Sequence, residues 1–424
     1  MIKHTDIVSI ESLRNKTIAI DGHIWLYESN KGCHTHGTSG VSYLVTFFNR
    51  CQRLLEYNIE LIVVFDNINS DCAASTSSDS TAWQERKKRR AGSNRSSSPL
   101  SDCADKVLKI QILLRNMGIR CLVAESDGEA QCAQLEMAKL THGCITSDFD
   151  YFLFGGMNLY KINYENGGKT VSQDVIHLSM DKLETEHHLS RNRLIALSML
   201  LGCDYYDQGV GRVGMVTALE ILSEFTEPAP GGADDHPVSI LDRFAAYHRR
   251  EIPERADDSE TKKKLRKKVV HLPDGFPNTE LLTEAVSIYL LPKVLKIDHL
   301  TFPSKPFKDM DVVMNILSKT CGWKPERFDE EMERSEKRKT RLSPDTTQTK
   351  ERLFPNTEQT SDGNSSAFTS ISGTCESMTP SPDHTQAKRR SSKKVVCEYK
   401  RASPAVVTQP EPEASETSSI QILN

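Results

Sequence analysis

Residues 143–156 read GCITSDFDYFLFGG, an apolar run that stops at Asp148 and Asp150 and resumes with Tyr151, Phe152, Leu153 and Phe154. On an extended segment residues i and i+2 face the same side, so the two carboxylates are expected to stand together among apolar neighbours. Like charges placed that close repel, and one stays protonated unless something positive holds both. A metal ion meets that need.

Working outward, three more short runs read as buried strands: TIAID (17–21), LIVVFD (61–66) and IRCLVA (119–124), the last leading into ESDGEAQCAQLEMAKL. Between them, SYLVTFFNRCQRLLEY (42–57) and ADKVLKIQILLRNMG (104–118) carry apolar residues at helical spacing. Alternating strands and helices predict an α/β fold with a mainly parallel sheet flanked by helices. In such sheets ligands bind at the carboxyl ends of the strands, where the acids stand. Residues 67–104, rich in serine and poor in apolar groups, read as a mobile loop inside the domain. Helical pattern returns over 192–226 and again from 239 to about 336, and the remainder reads as a disordered Ser/Thr/Pro-rich basic tail. The expected organisation is therefore 1–226 as an α/β core with a helix hairpin at about 194–222, 227–336 as its helical C-terminal part, and 337–424 as tail.

The chain has 424 residues and a formal net charge of −4, with basic runs RKKRR (86–90), KKKLRKK (262–268), KRKTR (337–341) and KRRSSKK (388–394). An acidic balance can thus coexist with basic surfaces. None of the 11 cysteines forms the close pairs of a zinc ribbon, so they read as free thiols. The start, MIKHTDIVSIESLRNK, has no apolar signal core. The longest apolar run, near LIALSMLLGC, is about half a bilayer span. A reducing compartment, cytosolic or nuclear, with no membrane partner, is the expectation.

Taken along the chain, the acids at strand ends and helix starts are Asp21, Asp66, Asp127, Glu129, Asp148, Asp150 and Asp204. Any one of them could be a turn residue or N-cap, and Asp127 and Glu129 open a helix where the dipole favours acids. The whole set asks for more. Hard oxygen ligands suit Mg²⁺ or Mn²⁺ rather than zinc, and two such ions about 4 Å apart activate water and stabilise a leaving oxygen in phosphodiester hydrolysis. GVGRVG (209–214) matches a dinucleotide glycine pattern, but a helical stretch precedes it instead of a strand. A glycine turn between two helices suits a backbone phosphate; a plain hairpin with glycines for close packing is the alternative.

The motifs IAIDGHIWLYE, VVFDN, DGEAQCA, CITSDFDYFLFG and LLGCDYYDQGVGRVGMVTALEIL, in this order over residues 17–222, resemble the flap-endonuclease and XPG family of structure-specific nucleases, and their spacing is most like the GEN-type Holliday-junction resolvases. With GFPNTELLTEAVSIYLLPKV and a following Trp-containing segment, the resemblance covers roughly residues 10–330. It implies a PIN-like nuclease core. It implies that Asp148, Asp150 and Asp204 hold one ion, while Asp21, Asp66, Asp127 and Glu129 serve the other directly or through water. It also implies Mg²⁺, with Mn²⁺ as a substitute, a duplex-gripping turn at Gly209, Gly211 and Gly214 that often takes K⁺, and basic residues over the scissile phosphate. Arg86, Lys87, Lys88, Arg89 and Arg90 are the candidates for that last role, against a plain solvated charge run.

Three departures stand out. The family begins with Met-Gly and a short apolar helix where this chain has MIKHTDIV, a variant or truncated start; it has Glu where this chain has Asp127; and no chromodomain-like segment follows the core. The leading expectation is a Mg²⁺-dependent nuclear enzyme, shuttling with the cytoplasm, that resolves four-way junctions in recombination and double-strand-break repair as a homodimer assembled on the DNA. A 5′-flap or repair-gap nuclease is the alternative within the class, and the short spacer in the core leans against the excision-repair type. A non-catalytic junction-binding scaffold is the alternative outside it. Ser98, Ser343, Thr379, Ser381 and Ser403 each precede proline, where added phosphate would cancel nearby positive charge. ETEHHL (184–189) is assigned to the surface.

Overall fold

The computed structural model describes residues 6–33, 42–67, 99–165, 168–227, 234–296 and 307–342, all within one unit, Met1–Lys350. The candidate basic residues Arg86 to Arg90, the five proline-directed sites and KRRSSKK lie outside the described residues. Chain order gives β1 (Asp6–Ser9), β2 (Thr17–Asp21), α1 (Gly22–Cys33), α2 (Ser42–Glu56), β3 (Glu60–Phe65), α3 (Pro99–Asn116) and β4 (Arg120–Val123). Then come α4 (Gly128–Met137), β5 (Cys144–Ile145), α5 (Asp150–Leu153), β6 (Asn158–Glu165), β7 (Thr170–Ser179), α6 (Met180–His187), α7 (Arg191–Leu201) and α8 (Met215–Phe225). Five further helices are α9 (Pro237–His248), α10 (Glu260–Lys267), α11 (Glu280–Leu290), α12 (Met310–Cys321) and α13 (Pro325–Leu342).

One seven-stranded sheet runs β1-β7-β6-β5-β2-β3-β4. Strands β6 to β4 in that order are parallel, and β7 and β1 add antiparallel pairings. The sheet is an α/β fold with helices on both faces because its central strands are apolar on both. Along β2 and β3, Ala19, Ile62 and Val64 join one core with α4, α5 and α7 to α11, while Ile18, Ile20, Leu61, Val63 and Phe65 join the other with α1, α2, α3, α12 and α13. Alternation of side chains across a strand sends each set to its own layer. Helices 237–342 thus share cores with the sheet. Among the described residues no helix is long and apolar enough to cross a membrane.

Four sequence expectations are corrected. Residues 143–150 do not form one extended strand: β5 ends at Ile145, and Asp148 and Asp150 stand on a turn into α5. The reason is local, since Thr146 Oγ1 accepts the Asp148 amide at 3.1 Å and Asp148 Oδ1 accepts the Asp150 amide at 3.0 Å, the side-chain turn chemistry that competes with a strand ladder. Strands β1, β6 and β7 were not anticipated; their mixed polar sequences are completed by antiparallel pairing. Helix α3 begins at Pro99, inside the segment 67–104 read as loop, with proline in a first helical position that needs no N–H. Helix α13 runs to Leu342, beyond the expected boundary at 336, with Lys337 bridging Glu333 at 2.5 Å one turn back.

The turn between β5 and β6 is fixed from α4. Glu136, 8% exposed, accepts hydrogen bonds from the Tyr151 hydroxyl, the amides of Met157 and Asn158, and Asn158 Nδ2. Glu136→Ala would strand those donors, the buried Tyr151 hydroxyl among them, and the expected outcome is a loss of about 3 kcal/mol, measured as the midpoint of urea unfolding.

Candidate metal centre

The acids converge because their strands are neighbours. β5, β2, β3 and β4 stand side by side and point the same way. Asp21 ends β2, Asp66 follows β3, Asp127 precedes the helix after β4, and Asp148 follows the short β5. Ligand oxygens of Asp66, Asp127 and Glu129 lie within 4.8 Å of one another, the closest acidic set of three among the described residues. Asp127 and Glu129 are buried and Asp66 is half-buried. Asp148, Asp150 and Asp204 are not part of that triad; the first two are half-buried and Asp204 is exposed, in the turn after α7.

Fixed donors set the carboxylates in place. Asp66 Oδ1 accepts the Gly128 amide at 2.9 Å, and the Asp66 amide donates to His23 Nδ1 at 2.9 Å. A Cβ on Gly128 would stand 2.8 Å from that same Asp66 oxygen, so the approach needs glycine. Asp127 occupies the N-cap of α4, yet its side chain does not cap the helix; it accepts from the Tyr205 hydroxyl. The bland N-cap reading therefore fails for Asp127 and holds in part for Asp21, whose Oδ1 accepts the Ile24 amide at 3.0 Å in the first turn of α1. Thr146 Oγ1 donates to Asp21 Oδ2 at 3.1 Å, and Tyr289 donates to Asp150 Oδ2 at 2.6 Å. Burial and the Asp150 charge hold the Tyr289 phenol protonated, as a donor must be.

A hydrogen-bonded chain thus runs from Asp21 through Thr146 to Asp148 and Asp150 and ends on Tyr289. Asp21 carries the strain of the assembly. Burial first, then the charges of Asp66 and Asp148, push its pKa up to about 7 from 3.8, against the lowering pull of the Ile24 and Thr146 hydrogen bonds. Massed oxygen donors that repel one another are the setting a hard divalent cation relieves, so the residues present fit such an ion.

Sequence reasoning singled out the acids but missed Gly128, Tyr205, Tyr289, His23 and Thr146. Each of these except Tyr289 lies within two residues of a flagged acid. Tyr289 comes from α11, 139 residues from its partner, and no local signal pointed to it. The hairpin glycines fall as expected between two helices, α7 and α8, which disposes of a dinucleotide site. Gly209 adopts φ +56°, with Gly202 N only 2.9 Å from where its Cβ would be; Gly211 pairs with His271; Gly214 caps α8. Arg191 binds the hairpin to the site, donating to the Leu153 carbonyl at 2.9 Å and the Tyr289 carbonyl at 2.6 Å. In ETEHHL, Glu184, Thr185, Glu186 and His188 are exposed, as expected.

A parallel sheet whose adjacent strand ends gather carboxylates, joined to a glycine-turned helix pair, defines an acidic centre of the kind that acts on phosphodiesters. Comparison with known proteins makes the class specific: residues 1–91 match the XPG N-terminal domain and residues 118–204 the XPG I-region. Over these two regions the chain is similar to the XPG nucleases, a family whose members are structure-specific and divalent-metal dependent.

DNA excision repair protein ERCC-5 of Mus musculus is 35% identical over 226 residues, 53% of this chain and 18% of that protein. Flap endonuclease GEN homolog 1 of Mus musculus is 28% identical over 223 residues, 51% of this chain and 24% of that one. The chain thus spans about a fifth of the length of these curated relatives. The catalytic core of Rad2 in complex with DNA substrate matches with a TM-score of 0.59 and 27% identity, covering 78% of this chain and 96% of that chain. Excision-repair relatives appear beside GEN-type ones, so the short spacer does not separate the two.

Asp21 yields a pH test. Its pKa in the folded, metal-free protein lies above the unfolded value, so its ionisation destabilises the fold at pH 7 and above, and that penalty fades as pH falls toward 4. Asp21→Asn should raise the melting temperature of the metal-free protein at pH 8, with the gain shrinking by pH 5, read by calorimetry. Gly128→Ala should displace Asp66 and weaken Mg²⁺ binding on the order of tenfold, read by calorimetric titration.

Proposed function

We propose that this chain is a Mg²⁺-dependent endonuclease that cuts branched DNA. The convergence of Asp66, Asp127 and Glu129 within 4.8 Å, beside Asp21 and the Asp148–Asp150 turn, is the observation that carries the reading. Asp66, Asp127 and Glu129, with Asp21 behind them, would hold one ion, and Asp148, Asp150 and Asp204 the other; Mn²⁺ can replace Mg²⁺. When bound, such a pair supplies an activated water and charge to stabilise the leaving oxygen. The chain's own part is orientation. Thr146 and the Ile24 amide fix Asp21, Gly128 fixes Asp66, Tyr205 fixes Asp127, and Tyr289 fixes Asp150, so little reorganisation is left for the reaction. The backbone at Gly209, Gly211 and Gly214 is proposed to meet a duplex phosphate, with K⁺ at the turn, and Arg86 to Arg90 to lie near the scissile phosphate.

Two finer substrates are supported. Likeness to GEN homolog 1 supports four-way-junction cutting by two copies assembled on DNA; likeness to ERCC-5 at 35% identity and to the Rad2 core over 96% of its length supports a repair-gap or flap nuclease. The higher identity favours the second. The work site proposed for either is the nucleus.

Asp148→Ala combined with Asp150→Ala should abolish cutting and leave DNA binding in place; cutting that survives both changes would sink the reading. Side-by-side digestion of a four-way junction and a 5′ flap, with Mg²⁺ and with EDTA, separates the substrates. Paired symmetrical nicks indicate the junction enzyme, and cleavage confined to the flap or bubble border the repair type.

A further inference from the structure

Gln131 is not one of the acids of the centre, yet it is fully buried in α4, two residues after Glu129 and four after Asp127. A buried side-chain amide is costly unless its polar ends are paired. Both ends of this one go to a single residue far along the chain: Oε1 accepts the Leu295 amide at 2.7 Å, and Nε2 donates to the Leu295 carbonyl at 3.5 Å. Leu295 lies in the segment 291–296 that leaves α11 and has no regular structure. Val294 packs partly buried against the core, but Leu291, Lys293 and Lys296 are exposed. Apolar burial therefore orders this segment weakly, and the Gln131 amide fastens it to α4.

The same stretch of chain starts at the other half of the acidic centre. Tyr289, six residues before Leu295, donates to Asp150 Oδ2 at 2.6 Å, and its ring meets the Tyr205 ring edge to face at 5.4 Å and the Phe154 ring at 5.0 Å. Tyr205 in turn donates to Asp127. A path thus runs from Asp150 through Tyr289 and Leu295 to Gln131 and the start of α4, where Asp127 and Glu129 stand. It answers a weakness of the sheet. β5 is two residues long and its strand pairing ends at Ile145, so the Asp148–Asp150 turn beyond it is shaped by its own side-chain hydrogen bonds. Carboxylates on the two sides repel, and holding them at a fixed distance calls for a brace that is not itself an acid.

We propose that Gln131 is a positioning residue: by clamping Leu295 it makes residues 289–295 a brace that sets the separation between the triad of Asp66, Asp127 and Glu129 and the Asp148–Asp150 turn, and with it the spacing of two bound ions. The inference rests on the two-ion reading of the centre. Two-ion hydrolysis works with the ions about 4 Å apart, and a misplacement of about 1 Å costs on the order of a hundredfold in rate. A side chain that touches neither ion nor substrate therefore governs the reaction through geometry. Glutamine suits that role. Its amide meets a backbone N–H and C=O at once, and it adds no charge beside Asp127 and Glu129.

The test is electron paramagnetic resonance of the full chain saturated with Mn²⁺, where two neighbouring ions couple magnetically and a lone ion does not, read beside cleavage of a branched duplex in Mg²⁺. Gln131→Met keeps the length of the side chain and removes its amide. The coupled signal should weaken, and kcat should fall by about tenfold or more with KM for the duplex unchanged. Tyr289→Phe, which keeps the ring and drops the hydroxyl, should weaken the coupling from the other end. Joining the two changes should add little to the larger single effect, as for residues that act as one unit. A folded Gln131→Met protein with unchanged coupling and kcat, or one that loses melting temperature alone, overturns the brace and leaves the nuclease reading standing. If Gln131→Met does not fold, an unchanged signal in Tyr289→Phe overturns it equally. A wild type that takes up a single ion overturns the two-ion reading and the brace together.

Discussion

Carboxylate repulsion at adjacent parallel strand ends is the constraint around which the rest of this molecule is arranged. β5, β2, β3 and β4 are neighbours in the sheet and share a direction, so the residues that follow them emerge at one edge. Parallel strands sit about 4.8 Å apart, which forces acids at successive strand ends into mutual range. Asp21, in the middle of this row and 1% exposed, is the residue most strongly affected. The fold tolerates it because four of the carboxylates answer to fixed donors: Asp21 to the Ile24 amide and Thr146, Asp66 to the Gly128 amide, Asp127 to Tyr205 and Asp150 to Tyr289.

Two of those donors come from the chain beyond the last strand, β7. Tyr205 belongs to the turn that leads into the hairpin and Tyr289 to α11, and Arg191 links α7 to the carbonyls of Leu153 and Tyr289. The helical C-terminal part is therefore not an appendage to the acidic edge. Its packing on the face lined by α4 and α5 delivers the Tyr289 hydroxyl to Asp150. On the opposite face, α13 is held to α2 by a buried network in which Arg53 meets Glu56 and Glu331, and Arg338 meets Glu56. Such networks fix the register of a helix more than they add stability.

Strands whose apolar side chains face two cores were readable, because LIVVFD, and TIAID after Thr17, have no polar side until the closing acid. β6 and β7 were not, since Lys161, Asn163, Gln173 and Asp174 interrupt their apolar pattern and only pairing with each other makes them strands. The acids were legible as a set through repetition at strand ends. Their geometry was not. An extended reading put Asp148 and Asp150 on one side of a strand, whereas hydrogen bonds from two amides to Thr146 and Asp148 turn the chain there.

The sequence by itself determined the α/β alternation, the seven acids, the glycine turn between two helices and the family resemblance, because each is written in local residue order or spacing. Tertiary structure alone decided which acids meet as a triad, that Asp127 faces Tyr205 instead of capping its helix, and that Tyr289 reaches Asp150 across 139 residues. The physical reason is that a side chain's charge and hydrogen bonds depend on neighbours far away in the chain, and only packing chooses those neighbours.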